Sequence, residues 1–298
     1  MNIEKLYPAY KDYLWGGNKL KEKYGKDTDT EPLAEAWELS FHKDGLCHIS
    51  DGRALKDAVS EDELGNALKG FSEFPMLLKF IDAKSDLSVQ VHPSDEYARI
   101  HESSLGKTEA WYIVSADDGA GIYLGFKRDV TKEEFKEAIN NGTLCSLLNF
   151  IKVKAGECYF IPAGTIHAIG AGCLICEIQQ NSNVTYRVFD YKRKDKNGRE
   201  RELHIDKAIA VTKTDKLIPK SSAAPTLAEC EYFKLEKITL SDTYIGKTTG
   251  ESFHSVTCVL GDATIDAQKI SQGDTFFVPA NYGEYTLCGN GEFLVCSI

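Results

Sequence analysis

Gly156-Glu-Cys-Tyr-Phe-Ile-Pro162-Ala-Gly164-Thr-Ile-His167 is the stretch on which the reading of this 298-residue chain turns. Gly156 turns the backbone, and Glu157 to Ile161 run as a strand. Pro162 has no N–H to donate and ends the ladder, while Gly164 permits the tight turn that follows. His167 is then presented just beyond the turn, on the next strand. Upstream lie Ser88-Val-Gln90-Val-His92-Pro93 and Gly106-Lys107-Thr-Glu109-Ala-Trp-Tyr. Residues two apart on a strand share a face, so Gln90 and His92 point the same way. If Glu109 and His167 come from neighbouring strands, one amide oxygen, one carboxylate and two imidazoles converge into a divalent metal site. No thiolate is in the set, which excludes a structural cysteine-based zinc site. Such a mixture suits Zn²⁺, with Mn²⁺, Fe²⁺ or Co²⁺ as alternatives, and can leave a position open for water or substrate.

A formal charge of −10 argues against non-specific nucleic-acid binding, which needs a basic surface. The N-terminal segment has no apolar signal core, and no run is long enough to span a bilayer, so a soluble, cytoplasmic protein is expected. Nine cysteines scattered through strand-like segments read as reduced, buried thiols. Cys173-Leu-Ile-Cys176 has the spacing of a redox motif but begins a strand pattern where that motif needs a helix.

Along the chain, Tyr13-Leu-Trp15-Gly16-Gly17-Asn18 is a strand-to-turn signal, and Glu35 to Phe41 alternates as a strand. Leu55 to Leu68 has near-helical spacing and predicts one short helix. Pro75-Met-Leu-Leu-Lys79-Phe-Ile81 reads as a buried strand, which makes Lys79 conspicuous. Ala110–Val114 and Gly121–Phe126 read as paired strands around Asp117-Asp118-Gly119. Thr131 to Ile139 has a Thr cap, early acids and an apolar face, and predicts a helix, with a few helical residues before Asn149. Strands follow from Ile151 to Val188. Asp195-Lys-Asn197-Gly198 turns a charged hairpin from Lys192 to Glu202, and Leu203 to Val211 reads as strand then helix. Lys213 to Pro225 is the boundary, giving domains of 1–215 and 216–298. After it comes an echo of the opening stretch, Gly273-Asp-Thr-Phe-Phe-Val-Pro279-Ala, with Glu284 where the first copy has His167. Two β-barrel halves, one with a metal site and one without, are expected. His42, His48, His101, His204 and His254 have no such context.

From Glu177 to Arg187 every odd-numbered residue is polar. If the segment stays extended, that face is either a wet outer surface or a lining of the barrel interior, where Arg187 would bind an anion at any working pH.

Gly156-x5-Pro162-x-Gly164-x2-His167 resembles the second cupin motif. Together with Ser88–Pro93, Lys107–Glu109, Tyr13–Gly16, Leu78–Phe80 and Asn183–Arg187, it resembles the type I mannose-6-phosphate isomerases over almost the whole chain. The segment from Arg187 through Ala208 is similar to their short bacterial branch. The resemblance implies a mainly β fold of two cupin-like jelly-roll halves, with a few short helices in the first. It implies interconversion of mannose 6-phosphate and fructose 6-phosphate through an enediol. It also implies one Zn²⁺ on Gln90, His92, Glu109 and His167, with Arg187, Lys107 and Lys79 at the substrate. Two departures stand out. Gly106 replaces a histidine of the longer members, and Asn183 replaces an aspartate, leaving the general base open. The alternatives are a non-catalytic sugar-binding regulatory cupin and an oxygen-activating Fe²⁺ cupin. The small hexose phosphate is the expected partner, with no nucleic acid or membrane.

Overall fold

The computed structural model describes residues 1–194 and 197–298. The Asp195–Lys196 part of the expected charged turn lies outside the described residues. The first twelve strands are β1 (Glu4–Leu6), β2 (Ala9–Lys11), β3 (Glu35–Leu39), β4 (Met76–Asp82), β5 (Val89–Val91), β6 (Glu109–Ala116), β7 (Gly121–Phe126), β8 (Leu148–Lys152), β9 (Cys158–Ile161), β10 (His167–Ile169), β11 (Cys173–Gln180) and β12 (Tyr186–Phe189). Seven more follow: β13 (Thr226–Glu229), β14 (Lys234–Leu240), β15 (Thr243–Thr248), β16 (His254–Ile265), β17 (Gln268–Ser271), β18 (Thr275–Val278) and β19 (Gly283–Ser297). They form three sheets. One is five-stranded in the order β12-β5-β10-β7-β8, and one six-stranded in the order β2-β3-β4-β11-β6-β9. The third, eight-stranded, runs β1-β18-β16-β19-β14-β13 with β15 and β17 added at its sides.

The six-stranded sheet is the middle layer, and its sequence explains why. Every residue of β4 and of β11 is buried, so neither strand has a wet face. Side chains alternate between the two covers. Leu78 and Phe80 on β4, Tyr112 on β6, and Cys176 and Ile178 on β11 pack with Phe233 and with Leu235, Phe277 and Leu294 of the eight-stranded sheet. Ile81, Trp111, Ile113 and Ile175 point the other way and pack with Ile122, Leu124 and Ile169 of the five-stranded sheet. Lys79, Glu109 and Glu177 share that second parity, which settles the alternating polar run. Its first half faces the interior between two sheets. The run does not stay one strand, because β11 ends at Gln180 and β12 belongs to the other sheet.

Other expectations meet local physics. The helix at Lys132–Asn140 forms as expected, with the Thr131 hydroxyl accepting from the Glu134 N–H at 3.1 Å, a cap that contributes about 1 kcal/mol. The single helix expected over 55–68 is instead Leu55–Ala58, Glu61–Leu64 and a 3-10 turn at Asn66–Gly70. Val59 is extended, Ser60 and Glu63 form a fresh capping box, and Gly65 sits at φ 98°, each of which stops a continuous helix. β6 and β7 are not paired, since the turn between them passes the chain from one sheet to the other. The strand expected before Ile205 is absent, and only the helix Ile205–Val211 forms. The echo is structural as well. Gly156 and Gly273 hold φ values of 91° and 93° before β9 and β18, while Glu284 lies exposed on β19. β1 belongs to the sheet of the C-terminal half, where Glu4 stands opposite Phe277.

Candidate metal centre

The ladder between β5 and β10 places His167 directly opposite Gln90, and β12 continues it by placing Arg187 opposite Gln90 on the other side. Glu109 enters from β6 in the facing sheet, so the ligands converge across the interior and not along one sheet. Ligand atoms of His92, Glu109 and His167 all lie within 4.8 Å of one another, and all three residues are buried. His167 Nε2 is 3.3 Å from Glu109 Oε1, and His92 Nε2 is 3.6 Å from Glu109 Oε2.

Each imidazole is oriented by its other nitrogen. His92 Nδ1 donates to the Val184 carbonyl at 2.8 Å, and His167 Nδ1 donates to the Thr165 carbonyl at 2.9 Å. Those bonds fix the tautomers and turn both Nε2 lone pairs toward Glu109. Burial, with the charge of Lys107, lowers the His167 pKa to about 4 and pushes His92 well below the ordinary value. Both rings are therefore neutral, as a metal ligand must be. Burial and the neighbouring Glu177 raise the Glu109 carboxyl to about 7. His167 Nε2 and Glu109 Oε1 have no hydrogen-bond partner although both are buried. Orphaned acceptors at a fully buried position are costly, and a divalent cation is a ligand that would satisfy them together. The donor set fits a metal.

Around the cluster lies a chain of buried ions. Lys107 Nζ is 2.7 Å from Glu109 Oε2, 3.1 Å from His92 Nε2 and 3.5 Å from Glu177 Oε1. Lys79 Nζ lies 3.3 Å from both Glu35 and Glu177. Burial alone would lower the Lys79 pKa, but Glu177 and Glu35 override it and the net shift is upward. Lys79 is thus a standing cation. Burial would likewise raise Glu177, yet Lys107 and Lys79 hold it below the usual range, and the Trp111 indole N–H donates to it at 2.7 Å.

These groups open onto a cavity of about 270 Å³ lined by Tyr13, Trp15, Lys79, Gln90, Lys107, Glu177, Asn183, Arg187 and Arg201, among others. A larger cavity of about 610 Å³, between Asp95–His101 and Tyr232, contains none of the ligand residues. Gln90, His92, Glu109, His167, Lys79, Lys107 and Arg187 therefore meet at one place. Glu35, Glu177 and Arg201 were not singled out. Glu177 had a signal, as an acid between Cys176 and Ile178 in a strand that proves buried. Gly106 also has a reason: a Cβ there would lie 2.5 Å from the Ser94 and Asp95 backbone, so no side chain fits. The five other histidines stay outside the cluster, though His204 Nδ1 accepts from the Arg187 N–H at 3.4 Å. All nine cysteines are free thiols, and no helix among the described residues is long and apolar enough to cross a membrane.

Comparison with known proteins agrees with this geometry. The model of the phosphomannose isomerase type I catalytic domain matches residues 3–115, and that of the mannose-6-phosphate isomerase cupin domain matches residues 224–298. The chain is 36% identical to the mannose-6-phosphate isomerase ManA of Bacillus subtilis over 99% of both chains. It is 45% identical to the mannose-6-phosphate isomerase of Streptococcus mutans over 66% of this chain and 64% of that one. The crystal structure of the mannose 6-phosphate isomerase from Bacillus subtilis superposes with a TM-score of 0.89, at 33% identity, over 100% of both chains.

Proposed function

This chain belongs to the type I mannose-6-phosphate isomerases, and we propose that it performs their aldose–ketose interconversion at the His92–Glu109–His167 cluster. The observation that carries the reading is that cluster itself: buried, tautomer-locked, with orphaned acceptors, opening onto the cavity that Arg187 lines. Gln90, His92, Glu109 and His167 would hold one divalent ion, with Zn²⁺ the best match to two imidazoles, a carboxylate and an amide. When bound, such an ion supplies a Lewis acid for the carbonyl and hydroxyl oxygens of C1 and C2.

The chain's own groups do the rest. Arg187, charged at every working pH, faces the oxygen on which negative charge develops as the C2 proton leaves. Lys107 is the candidate proton carrier. Its amine nitrogen is placed to move the proton between C2 and C1, with Glu177 beside it holding the amine's hydrogen bond. Lys79, pinned between two carboxylates, keeps Glu177 ionised. Tyr13 and Trp15, stacked at 5.4 Å on the wall, exclude water and offer the sugar an apolar face.

The same reading assigns 1–215 as the catalytic unit and 216–298 as a barrel without a metal site, and the cytoplasm as the compartment, which free thiols and negative charge favour. It takes a small hexose phosphate as partner and no nucleic acid. The test is turnover of mannose 6-phosphate by chelated protein, and again after Zn²⁺, Mn²⁺ or Co²⁺ is restored. Fructose 6-phosphate formed only with metal supports the reading. Folded, metal-loaded protein without turnover refutes it.

A further inference from the structure

The cavity has two electrostatically distinct ends. At the inner end both lysines are committed, Lys79 to Glu35 and Glu177, Lys107 to Glu109 and Glu177. Three carboxylates against two ammoniums leave neither lysine free for a dianion. At the outer end the balance reverses. Arg187 on β12 and Arg201 line the same wall, and the charge of Arg201 bears directly on Arg187. Arg187 Nε is buried and has no hydrogen-bond partner among the described residues.

Arg201 is held from behind. Buried Asp190 accepts from its Nε at 2.7 Å and its Nη2 at 2.6 Å, and also from Arg193 Nη2 at 2.5 Å. That two-point grip fixes the plane of the guanidinium, and its Nη1 makes no hydrogen bond among the described residues. The His204 N–H donates to the Arg187 carbonyl at 2.8 Å, which ties the Arg201 segment alongside β12. Among the described residues, Arg187, Arg193 and Arg201 gather around the single carboxylate of Asp190. Arg187 and Arg201 both line the cavity, and Asp190 grips Arg201 from behind, an arrangement that suits a phosphate monoester, which carries about −1.5 to −2 at neutral pH.

We propose that Arg201 anchors the phosphate of the substrate. Arg201 is then the group that selects phosphorylated sugars, since both buried lysines are already held by carboxylates. This rests on the isomerase reading above and names the group that makes it specific. With the phosphate at Arg201, Arg187 lies between it and the ligand cluster, in register with Gln90. A hexose 6-phosphate has the same polarity, its anion several carbons from the reacting C1 and C2.

The test is the ratio of kcat/KM for mannose 6-phosphate to kcat/KM for mannose in metal-loaded enzyme, before and after Arg201→Gln. Loss of the anchor lowers the ratio at least tenfold, through a raised KM for the phosphorylated sugar. A ratio within twofold of the wild-type value overturns the assignment, whether or not overall activity falls. Arg193→Gln separates contact from hairpin folding, because Arg193 also grips Asp190 but does not line the cavity. Its ratio stays at the wild-type value, and an equal fall in both variants refutes the role of Arg201. If the wild-type chain does not isomerise mannose 6-phosphate, the isomerase reading fails alone. Arg201 is then judged by calorimetric binding of mannose 6-phosphate against mannose, with the same tenfold contrast required.

Discussion

Lys26→Met is the perturbation with the most readable consequence for the fold. Lys26 Nζ lies 2.6 Å from Glu38 Oε1, with the two side chains 6% and 0% exposed. It also donates to the Gly273 carbonyl at 2.5 Å. Glu38 sits on β3, whose strand neighbours Glu35 and Trp37 belong to the catalytic side, while Gly273 is the turn before β18. The pair therefore ties the two halves together through a dry interior. Methionine keeps the length of the stem but leaves Glu38 buried without a counter-ion, a situation that costs about 3–5 kcal/mol. The double variant with Glu38→Met removes both charges and returns to within about 1 kcal/mol of wild type, because a paired buried charge contributes little net stability.

The pH dependence has a definite sign. Burial holds the Glu38 carboxyl above its ordinary 4.5 in spite of Lys26. The folded state thus binds that proton more tightly than the unfolded chain. Its contribution to stability is greatest below about 4.5 and declines as pH rises through the folded value. Without Lys26 the folded value climbs further, so the deficit of Lys26→Met is larger at pH 8 than at pH 5. Urea unfolding of the two single variants, the double and the wild type at both pH values measures all of this. A loss below 1 kcal/mol at pH 8, or one equal at pH 5, refutes the reasoning.

Arg187→Ala is expected to lower turnover by about 10²-fold or more, the scale of losing one donor to a developing oxyanion, with metal content by elemental analysis unchanged. Apparent metal affinity is expected to fall about tenfold per pH unit below about 7, because protons compete for the raised Glu109 carboxyl. A flat titration of metal retention between pH 5 and 7 contradicts that. Gly106→His, which restores the residue of the longer relatives, is expected to destabilise the protein by about 1–3 kcal/mol, since its Cβ meets backbone at 2.5 Å. Its melting curve decides. Glu109→Gln abolishes metal retention after gel filtration and leaves the circular dichroism spectrum unchanged.

The sequence made legible what depends on local rules. Glycine and proline marked both copies of the turn-strand-turn unit, and Thr131 with its acids marked the helix that follows. The His92–Glu109–His167 cluster was legible because its residues stand on or beside strands next to those turns. What escaped depends on which sheet a strand joins. The alternation in Glu177–Arg187 is the same for a wet face and a lined interior, and only the covering layers decide between them. The pairing of β6 with β11 instead of β7 is a long-range choice of the same kind. Arg201 escaped because a charged hairpin looks solvated until Arg187 is seen beside it. The helix over 55–68 broke at Val59 and Gly65, where capping chemistry outweighed apolar spacing.

His167 and Gln90 face each other across one ladder, and Glu109 reaches them from a different sheet. A slip of one residue in either sheet sends a ligand to the opposite face. An ion bound at this cluster would therefore be held only by molecules in which two separately assembled sheets have each found their register. Bound metal per chain becomes a count of correctly folded protein in any preparation. A variant made far from the site can then be sorted, by its metal content alone, into those that impair chemistry and those that impair assembly.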